Sequence, residues 1–283
     1  MNLENELERD FKEIIDYPET RLLTVGSQYW RNLLENHPII DVTDDHFFTE
    51  HGIVTDNYQV NMETTLYIHH ITHRRDDLRS IIFDKHKGIL LCKYTTTNFV
   101  NRLINEKILT FVAMRAIGSL VEKKQALPYT CGMYQLFPDS GPSKRDASWT
   151  AGHHLANISD VENGTDLFFN NGLRIRVQSK YSQFLKQLNL AHVFTDIQVS
   201  LASKIAAELG FENPTPQFRY HDAILSLVQN RRDTYVDKID FIKEVKHLLA
   251  IYTLKGYSVE SPDDSIIKKT CSWAHTNRGI MRY

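Results

Sequence analysis

An Asn-Gly pair between two apolar runs restricts the fold more than any other feature of the chain. Residues 166–169 read Asp-Leu-Phe-Phe, residues 173–177 read Leu-Arg-Ile-Arg-Val, and Asn171-Gly172 lies between them. Asn and Gly tolerate the positive φ angles of tight turns, so the segment predicts a β-hairpin. Side chains alternate between the faces of a strand. The apolar residues of the second run should therefore face a core, with Arg174 and Arg176 together on the other face.

Further strands and helices are predicted on both sides of this hairpin. Runs rich in β-branched and aromatic residues predict strands at residues 64–71, 81–83, 89–94 and 133–137, and a strand or helical turn at 149–158. Apolar residues spaced by three and four predict helices at residues 4–16, 26–37, part of 98–122, 196–209, 221–231 and 236–253. The mixture predicts an α+β fold with a β-rich centre.

Length and composition limit the class of protein. A chain of 283 residues with 42% hydrophobic and 24% charged residues is typical of a globular protein with one or two domains. It contains no run of about 18 apolar residues, and its acidic start lacks an apolar signal region. The three cysteines, Cys92, Cys131 and Cys271, are far apart, which favours reduced thiols in a cytoplasmic protein over a disulfide framework.

Charge is distributed unevenly along the chain. Residues 1–63 hold 4 Lys/Arg against 14 Asp/Glu, residues 64–200 hold 17 against 11, and residues 201–283 hold 12 against 10. Such a split is typical of an interaction surface with a separate solvating or regulatory segment, although acidic helices can also simply be soluble. We therefore expect an acidic, partly helical segment at 1–62, a β-rich core at 63–200 and a helical extension at 201–283.

Residues that could carry catalysis do not form a recognised motif. His69 and His73 have the spacing of four found in helical metal sites, but the surrounding sequence predicts a strand. His153-His154 and the cysteines do not match a zinc-ligand spacing. The chain also lacks a Gly-x-Ser-x-Gly elbow and a phosphate-binding glycine loop. We expect no catalytic residues, no metal and no cofactor, and a nuclease or other enzyme is the weakest alternative.

Basic residues are concentrated in the central segment. They lie in several short groups: Arg74, Arg75 and Arg79; Lys85 and Lys87; Lys123 and Lys124; Lys144 and Arg145; Arg174 and Arg176; and Lys180 and Lys186. Cations on a β-ribbon and its loops are suited to phosphate contacts and minor-groove insertion. The predicted DNA-binding residues are Lys144, Arg145, Arg174, Arg176, Lys180 and Lys186. A solvated sheet face is the structural alternative.

The order of landmarks between residues 132 and 187 resembles the ComK family of competence transcription factors. An aromatic-Phe-Pro strand comes first, followed by a Ser-Pro-type loop, a Trp, a His pair, an Asn-Gly hairpin and a Ser-Tyr-x-x-Phe-x-x-Gln segment. Here these landmarks are Tyr134, Phe137 and Pro138; Gly141, Pro142 and Ser143; Trp149; His153 and His154; Asn171 and Gly172; and Ser179, Tyr181, Phe184 and Gln187. The resemblance covers roughly residues 63–195.

The resemblance implies a transcription activator. Proteins of this family bind A/T-rich double-stranded DNA through the minor groove as multimers, switch on DNA-uptake genes, and are controlled by an adaptor of a Clp-type protease. The chain departs from the family pattern in three places: Ala147-Ser148 precede Trp149 in place of a Cys, the family's Gly-Arg pair after the first helix is not evident around residues 116–124, and Leu190-Ala191 replace an Arg-Thr pair. By resemblance, the chain is expected to be a cytoplasmic, DNA-binding homo-oligomer with no membrane partner.

Two further hypotheses concern the ends of the chain. The acidic segment 1–62 could fold over the basic face and weaken DNA binding, because opposite charges on one chain attract. Alternatively, the chain is a diverged protein-interaction module without DNA binding, in which the apolar face of residues 236–252 serves a partner or a second copy.

Overall fold

A computed structural model describes residues 19–71, 77–107, 111–139, 147–208 and 210, together with 241, 243–245 and 247. The helices are α1 (Glu19–Asn36), α2 (Asp45–His51), α3 (Thr96–Asn105), α4 (Phe111–Leu120) and α5 (Tyr181–Glu208). The first strands are β1 (Ile40–Asp41), β2 (Ile53–Val54), β3 (Thr65–His70), β4 (Ser80–Asp84), β5 (Gly88–Cys92) and β6 (Tyr129–Cys131). The remaining strands are β7 (Tyr134–Pro138), β8 (Trp149–Ala151), β9 (Leu155–Val161), β10 (Gly164–Phe169) and β11 (Arg174–Val177).

The strands form two sheets, which confirms the expected α+β class. One sheet has four strands in the order β1-β11-β10-β9, and the other has seven in the order β2-β5-β4-β3-β8-β7-β6. A 3₁₀ turn at Gly152–His154 leads from β8 in the larger sheet to β9 in the smaller sheet. The predicted strand or helical turn at 149–158 is therefore both, since a 3₁₀ turn separates its two strands.

Two apolar clusters make three layers. The first lies between the sheets, where Phe83 and Tyr67 of the larger sheet meet Ile175 of the smaller sheet. The second packs the opposite face of the larger sheet against α3 and α4, and Ile82 belongs to it. Because β4 is buried on both faces, the centre of its sequence, residues 81–83, is continuously apolar rather than alternating.

The predicted hairpin at residues 166–177 is present, with a three-residue turn. The Gly172 N–H donates to the carbonyl of Phe169 at 2.9 Å, and Gly172 has a φ of +88°. Gly172 supplies the left-handed conformation that closes such a turn. Ile175 and Val177 are buried, whereas Arg174 is exposed and Arg176 half-buried, so the predicted alternation of faces is confirmed.

The described part of the acidic segment, residues 19–62, is part of the same packing as the sheets. Trp30 is 1% exposed and donates its indole N–H to the carbonyl oxygens of Asp84 and Lys85. Strand β1 pairs in parallel with β11, so Ile40 lies beside Ile175 in the first cluster. Removing residues 1–62 would expose this cluster, because these residues supply apolar side chains that fill it. The acidic segment therefore reaches the two arginines as a neighbouring strand of their own sheet.

The long helix α5 crosses both apolar clusters. Phe184 and Leu188 pack in the first cluster, and Phe194 and Ile197 pack in the second. The helix begins at Tyr181, close to Gln183, from which the sequence pattern predicts helix, and it includes nearly all of the predicted 196–209. The predicted helices at 4–16 and 221–231 lie outside the described residues, as does most of 236–253. Phe241 packs against the second cluster.

Candidate nucleic-acid interface

The two arginines of β11 lie on the outer face of the four-stranded sheet. Register places Arg174 opposite Phe168 and Arg176 opposite Asp166 of β10. The guanidinium of Arg174 lies over the Phe168 ring, 5.3 Å from its centroid. The residue is exposed, so its charge is accessible to a ligand, although the ring holds the guanidinium by a cation–π contact.

Arg176 is held by Asp166 on one side and has Asp41 as its neighbour on the other. Its Nε donates to Asp166 Oδ1 at 2.7 Å and its Nη2 to Asp166 Oδ2 at 2.9 Å. Asp41 of β1 is its register partner on the other side. The hydrogen bonds that Arg176 donates to Asp166 raise the pKa of Arg176 above its ordinary value. The negative charges of Asp166 and then Asp41 raise it further. The predicted contact residue Arg176 is therefore compensated within the sheet.

The predicted lysines lie at and near the start of α5. Lys180 is exposed and its carbonyl accepts from the N–H groups of Gln183 and Phe184, which begins the helix. Lys180 lines a cleft of about 490 Å³ together with Asp160 and Glu162. Lys186 is exposed further along the helix. Both lysines are accessible, and Lys180 has acidic neighbours.

Lys144 and Arg145 lie outside the described residues, but the two ends of their loop are described. The Asp139 N–H donates to the Ser148 carbonyl at 2.9 Å, and the Ser148 N–H donates to Asp139 Oδ1 at 3.1 Å. The Ser179 hydroxyl donates to Asp139 Oδ2 at 3.1 Å, and the Gln183 side chain donates to the Asp139 carbonyl at 2.8 Å. Asp139 thus joins the base of this loop to the start of α5.

Strand order brings several of the described basic residues to one end of the seven-stranded sheet. At this end, which we call the basic end, β3, β5 and β7 finish and β4, β6 and β8 begin. Exposed basic residues in the described segments that adjoin it are Arg79, Lys93, Lys123, Lys124 and Lys180. The segments carrying Arg74, Arg75, Lys144 and Arg145 leave the described structure from the same end.

Acidic residues offset much of this charge, since Glu122 is exposed next to Lys123 and Lys180 has Asp160 and Glu162 as neighbours, and another lysine group lies elsewhere. Asp56 lies 3.8 Å from Lys93 Nζ, Asp139 is hydrogen-bonded as described, and Asp77 is exposed. Lys85 and Lys87 lie in the β4–β5 turn at the opposite end of the sheet. The sequence identified the basic groups but did not show that several lie at the same end of the sheet, because that depends on the order of the strands.

The paired histidines are structural. His153 Nε2 lies 2.6 Å from the carbonyl of Met62, and its Nδ1 lies 3.1 Å from the Gln135 N–H nitrogen. The rings of His153 and His154 lie 4.2 Å apart. Burial lowers the pKa of both, to about 3 for His154, where the neighbouring His153 and Lys85 add to the effect. Both imidazoles are neutral at pH 7, and His153 joins residue 62 to β7.

A Ser–His pair in the described chain lacks the geometry of a nucleophile. Ser148 Oγ lies 3.3 Å from His69 Nδ1, but Ser148 is only 5% exposed. Its oxygen already accepts the N–H of His70 at 3.1 Å. An activated serine must reach a substrate carbonyl, and this hydroxyl is enclosed between β3 and β8.

The described part of the chain has neither a cluster of metal-binding side chains nor a membrane-spanning helix. No cluster of three or more His, Cys, Asp or Glu side chains there has the arrangement of a metal site. No helix in those residues combines the length and apolar character needed to cross a bilayer. His73, one of the two histidines with helical metal-site spacing, lies outside them.

The protein is of the α+β class, with two sheets and the basic end on the larger one. No protein-family model, curated protein or solved structure matches the chain.

Proposed function

We propose that the protein is a DNA-binding transcriptional regulator of the ComK type, acting on A/T-rich promoter DNA. The basic end of the seven-stranded sheet is the surface that meets the phosphates. Regulation of DNA-uptake genes, assembly as a homo-oligomer, a cytoplasmic location and control by an adaptor of a Clp-type protease come with the family resemblance and belong to the same proposal.

The observation that carries the proposal is the convergence of separate basic segments. Arg79 precedes β4, the Lys123-Lys124 turn leads into β6, and Lys180 begins α5 beside Asp139. These residues are far apart in sequence and share an end of one sheet. Cations brought together in this way neutralise several phosphates of one duplex, and the release of counterions then supplies most of the non-specific affinity.

The DNA-contact residues of this proposal differ in part from those that the sequence predicts. Lys180 and Lys186 are exposed and remain contacts in the proposal. Arg174 is exposed but lies on the outer face of the smaller sheet. Arg176 is the weakest member of the set, because its guanidinium already has two carboxylate neighbours. Lys123, Lys124 and Arg79 are added.

A salt titration with matched lysine pairs tests the proposal. Fluorescence anisotropy of an A/T-rich duplex is measured for the wild type, for Lys123→Gln/Lys124→Gln, and for the control Lys87→Gln/Lys107→Gln. The control removes the same charge from the cleft at the opposite end. Each lost phosphate contact should reduce the slope of log K against log salt by about 0.9, so the first pair should reduce it by up to roughly 1.8.

Two results would count against this function. One is no binding of A/T-rich or mixed-sequence duplex at low salt by the wild type. The other is an equal loss from both lysine pairs, which would indicate a response to net charge alone. A preference for A/T-rich over G/C-rich duplex in the wild type would favour minor-groove contact.

The second candidate is a protein-interaction module that does not bind DNA. The Arg176–Asp166 pair favours it, because a charge used inside a sheet is not available to phosphate. In that case the wild type should fail the DNA titration. Sedimentation with and without residues 210–283 would then show whether the helical extension holds two copies together.

A further inference from the structure

We infer that Asp41 and Asp166 are affinity-setting residues that compete with nucleic-acid phosphate for Arg176. The inference rests on the proposed function and extends it from the basic end to the outer face of the four-stranded sheet. It assigns a role to the acidic segment that differs from an arm lying over the basic face, because Asp41 acts from inside the sheet.

The three side chains form one cross-strand row. Asp41 of β1 is the register partner of Arg176 of β11, and Arg176 is the register partner of Asp166 of β10. Asp166 contacts Arg176 directly, and the charge of Asp41 acts on Arg176 from the neighbouring strand. One cation therefore lies between two anions, and the row carries a net negative charge.

The two carboxylates hold Arg176 unequally. Asp166 has a side chain that is 6% exposed and makes both hydrogen bonds of a bidentate pair, at 2.7 and 2.9 Å. Asp41 Oδ1 instead accepts from the N–H and the hydroxyl of Thr43, at 2.9 and 2.7 Å, so it contributes charge. Asp166 should be the stronger competitor, because bidentate charge-assisted bonds add geometry to charge.

Arg176 itself is placed to change partner. Its side chain is 40% exposed although that of Asp166 is buried. A phosphate approaching from solvent can therefore reach the guanidinium, but only by displacing Asp166. While Asp166 binds Arg176, Arg174 is the arginine of β11 that is available to a phosphate. Removing the charge of Asp166 makes Arg176 available as well.

Asparagine substitutions test this competition with little change of shape. Asp166→Asn keeps one acceptor oxygen, and Asp41→Asn keeps the oxygen that Thr43 binds. The control is Glu35→Gln, which removes one exposed negative charge from α1. Thermal melting by circular dichroism verifies that each variant is folded.

Each variant is measured by elution from immobilised heparin and by anisotropy with an A/T-rich duplex. Asp166→Asn should tighten duplex binding by roughly three- to tenfold, and the salt slope should steepen by about 0.9. Asp41→Asn should show a smaller gain, and Glu35→Gln less than about a twofold change. Arg176→Ala combined with Asp166→Asn should lose the gain.

The two readouts separate the inference from the proposed function. Later elution of Asp166→Asn from heparin, without duplex binding by any variant, would sink the DNA function and leave the competition for anions standing. Equal elution of Asp166→Asn and Glu35→Gln would overturn the competition even if the wild type binds duplex. A gain that persists in the Arg176→Ala background would overturn it as well.

Discussion

Acid should destabilise this protein through His154, and the effect can be isolated by one substitution. The ring of His154 is half-buried against His153, and burial lowers its pKa from 6.5 to about 3. In the unfolded chain the imidazole titrates near its ordinary value. Below pH 6.5 the unfolded chain therefore binds a proton that the folded protein does not, and stability falls as the pH falls towards 3.

The size of the effect follows from the two pKa values. Each pH unit between them costs about 1.4 kcal/mol, so lowering the pH from 7 to 5 should reduce the free energy of unfolding by roughly 2 kcal/mol through His154. His153 acts in the same direction, because burial also lowers its pKa. This loss of stability is absent above pH 7, where the His154 imidazole is neutral in both the folded and the unfolded chain.

Urea unfolding followed by tryptophan fluorescence at pH 7 and pH 5 measures this loss. His154→Gln removes the titrating group, so its stability should fall less between the two pH values, by roughly 2 kcal/mol. The control is His46→Gln, because the His46 side chain is 90% exposed and its replacement removes an imidazole without disturbing the packing. A loss in His154→Gln equal to that of the wild type would refute the reasoning.

Two further predictions concern stability and thiol chemistry. Helix α4 ends in a Schellman turn in which the Lys123 N–H donates to the Gly118 carbonyl and Glu122 has a φ of +59°. Glu122→Gly should therefore raise the free energy of unfolding by about 0.5–1 kcal/mol in a urea titration, and an equal or lower stability would contradict this. Burial raises the pKa of the Cys92 thiol to about 12, so a thiol reagent at pH 8 should label half-buried Cys131 faster than Cys92 in the native protein. Peptide mapping by mass spectrometry would show this, and equal labelling would contradict it.

Local patterns in the sequence identified much of the secondary structure. The strand at residues 64–71 and the hairpin at 81–94 form β3, β4 and β5 close to those positions. Phe137 and Trp149 are 0% and 5% exposed, as expected of large aromatic residues between strands. These features depend on neighbours in the chain, so periodicity and turn residues are sufficient to locate them.

Long-range polar contacts could not be predicted in the same way. Gln198 of α5 accepts the Gly132 N–H and donates to the Thr130 carbonyl, which ties the helix to the β6–β7 hairpin. A buried glutamine is satisfied only by partners that the folded chain supplies, and these partners are distant in sequence. Periodicity therefore leaves its role undetermined.

The hairpin that carries Arg174 and Arg176 shows which properties follow from the sequence alone and which require the tertiary structure. The sequence alone determined that Arg174 and Arg176 share a face, because alternation is a property of any strand. The turn length decided their partners: two turn residues would place Leu167 opposite Arg176, whereas the three observed place Asp166 there. The folded chain then added Asp41 on the other side and gathered distant basic segments at one sheet end. Charge compensation and convergence depend on register and strand order, which only the tertiary structure fixes.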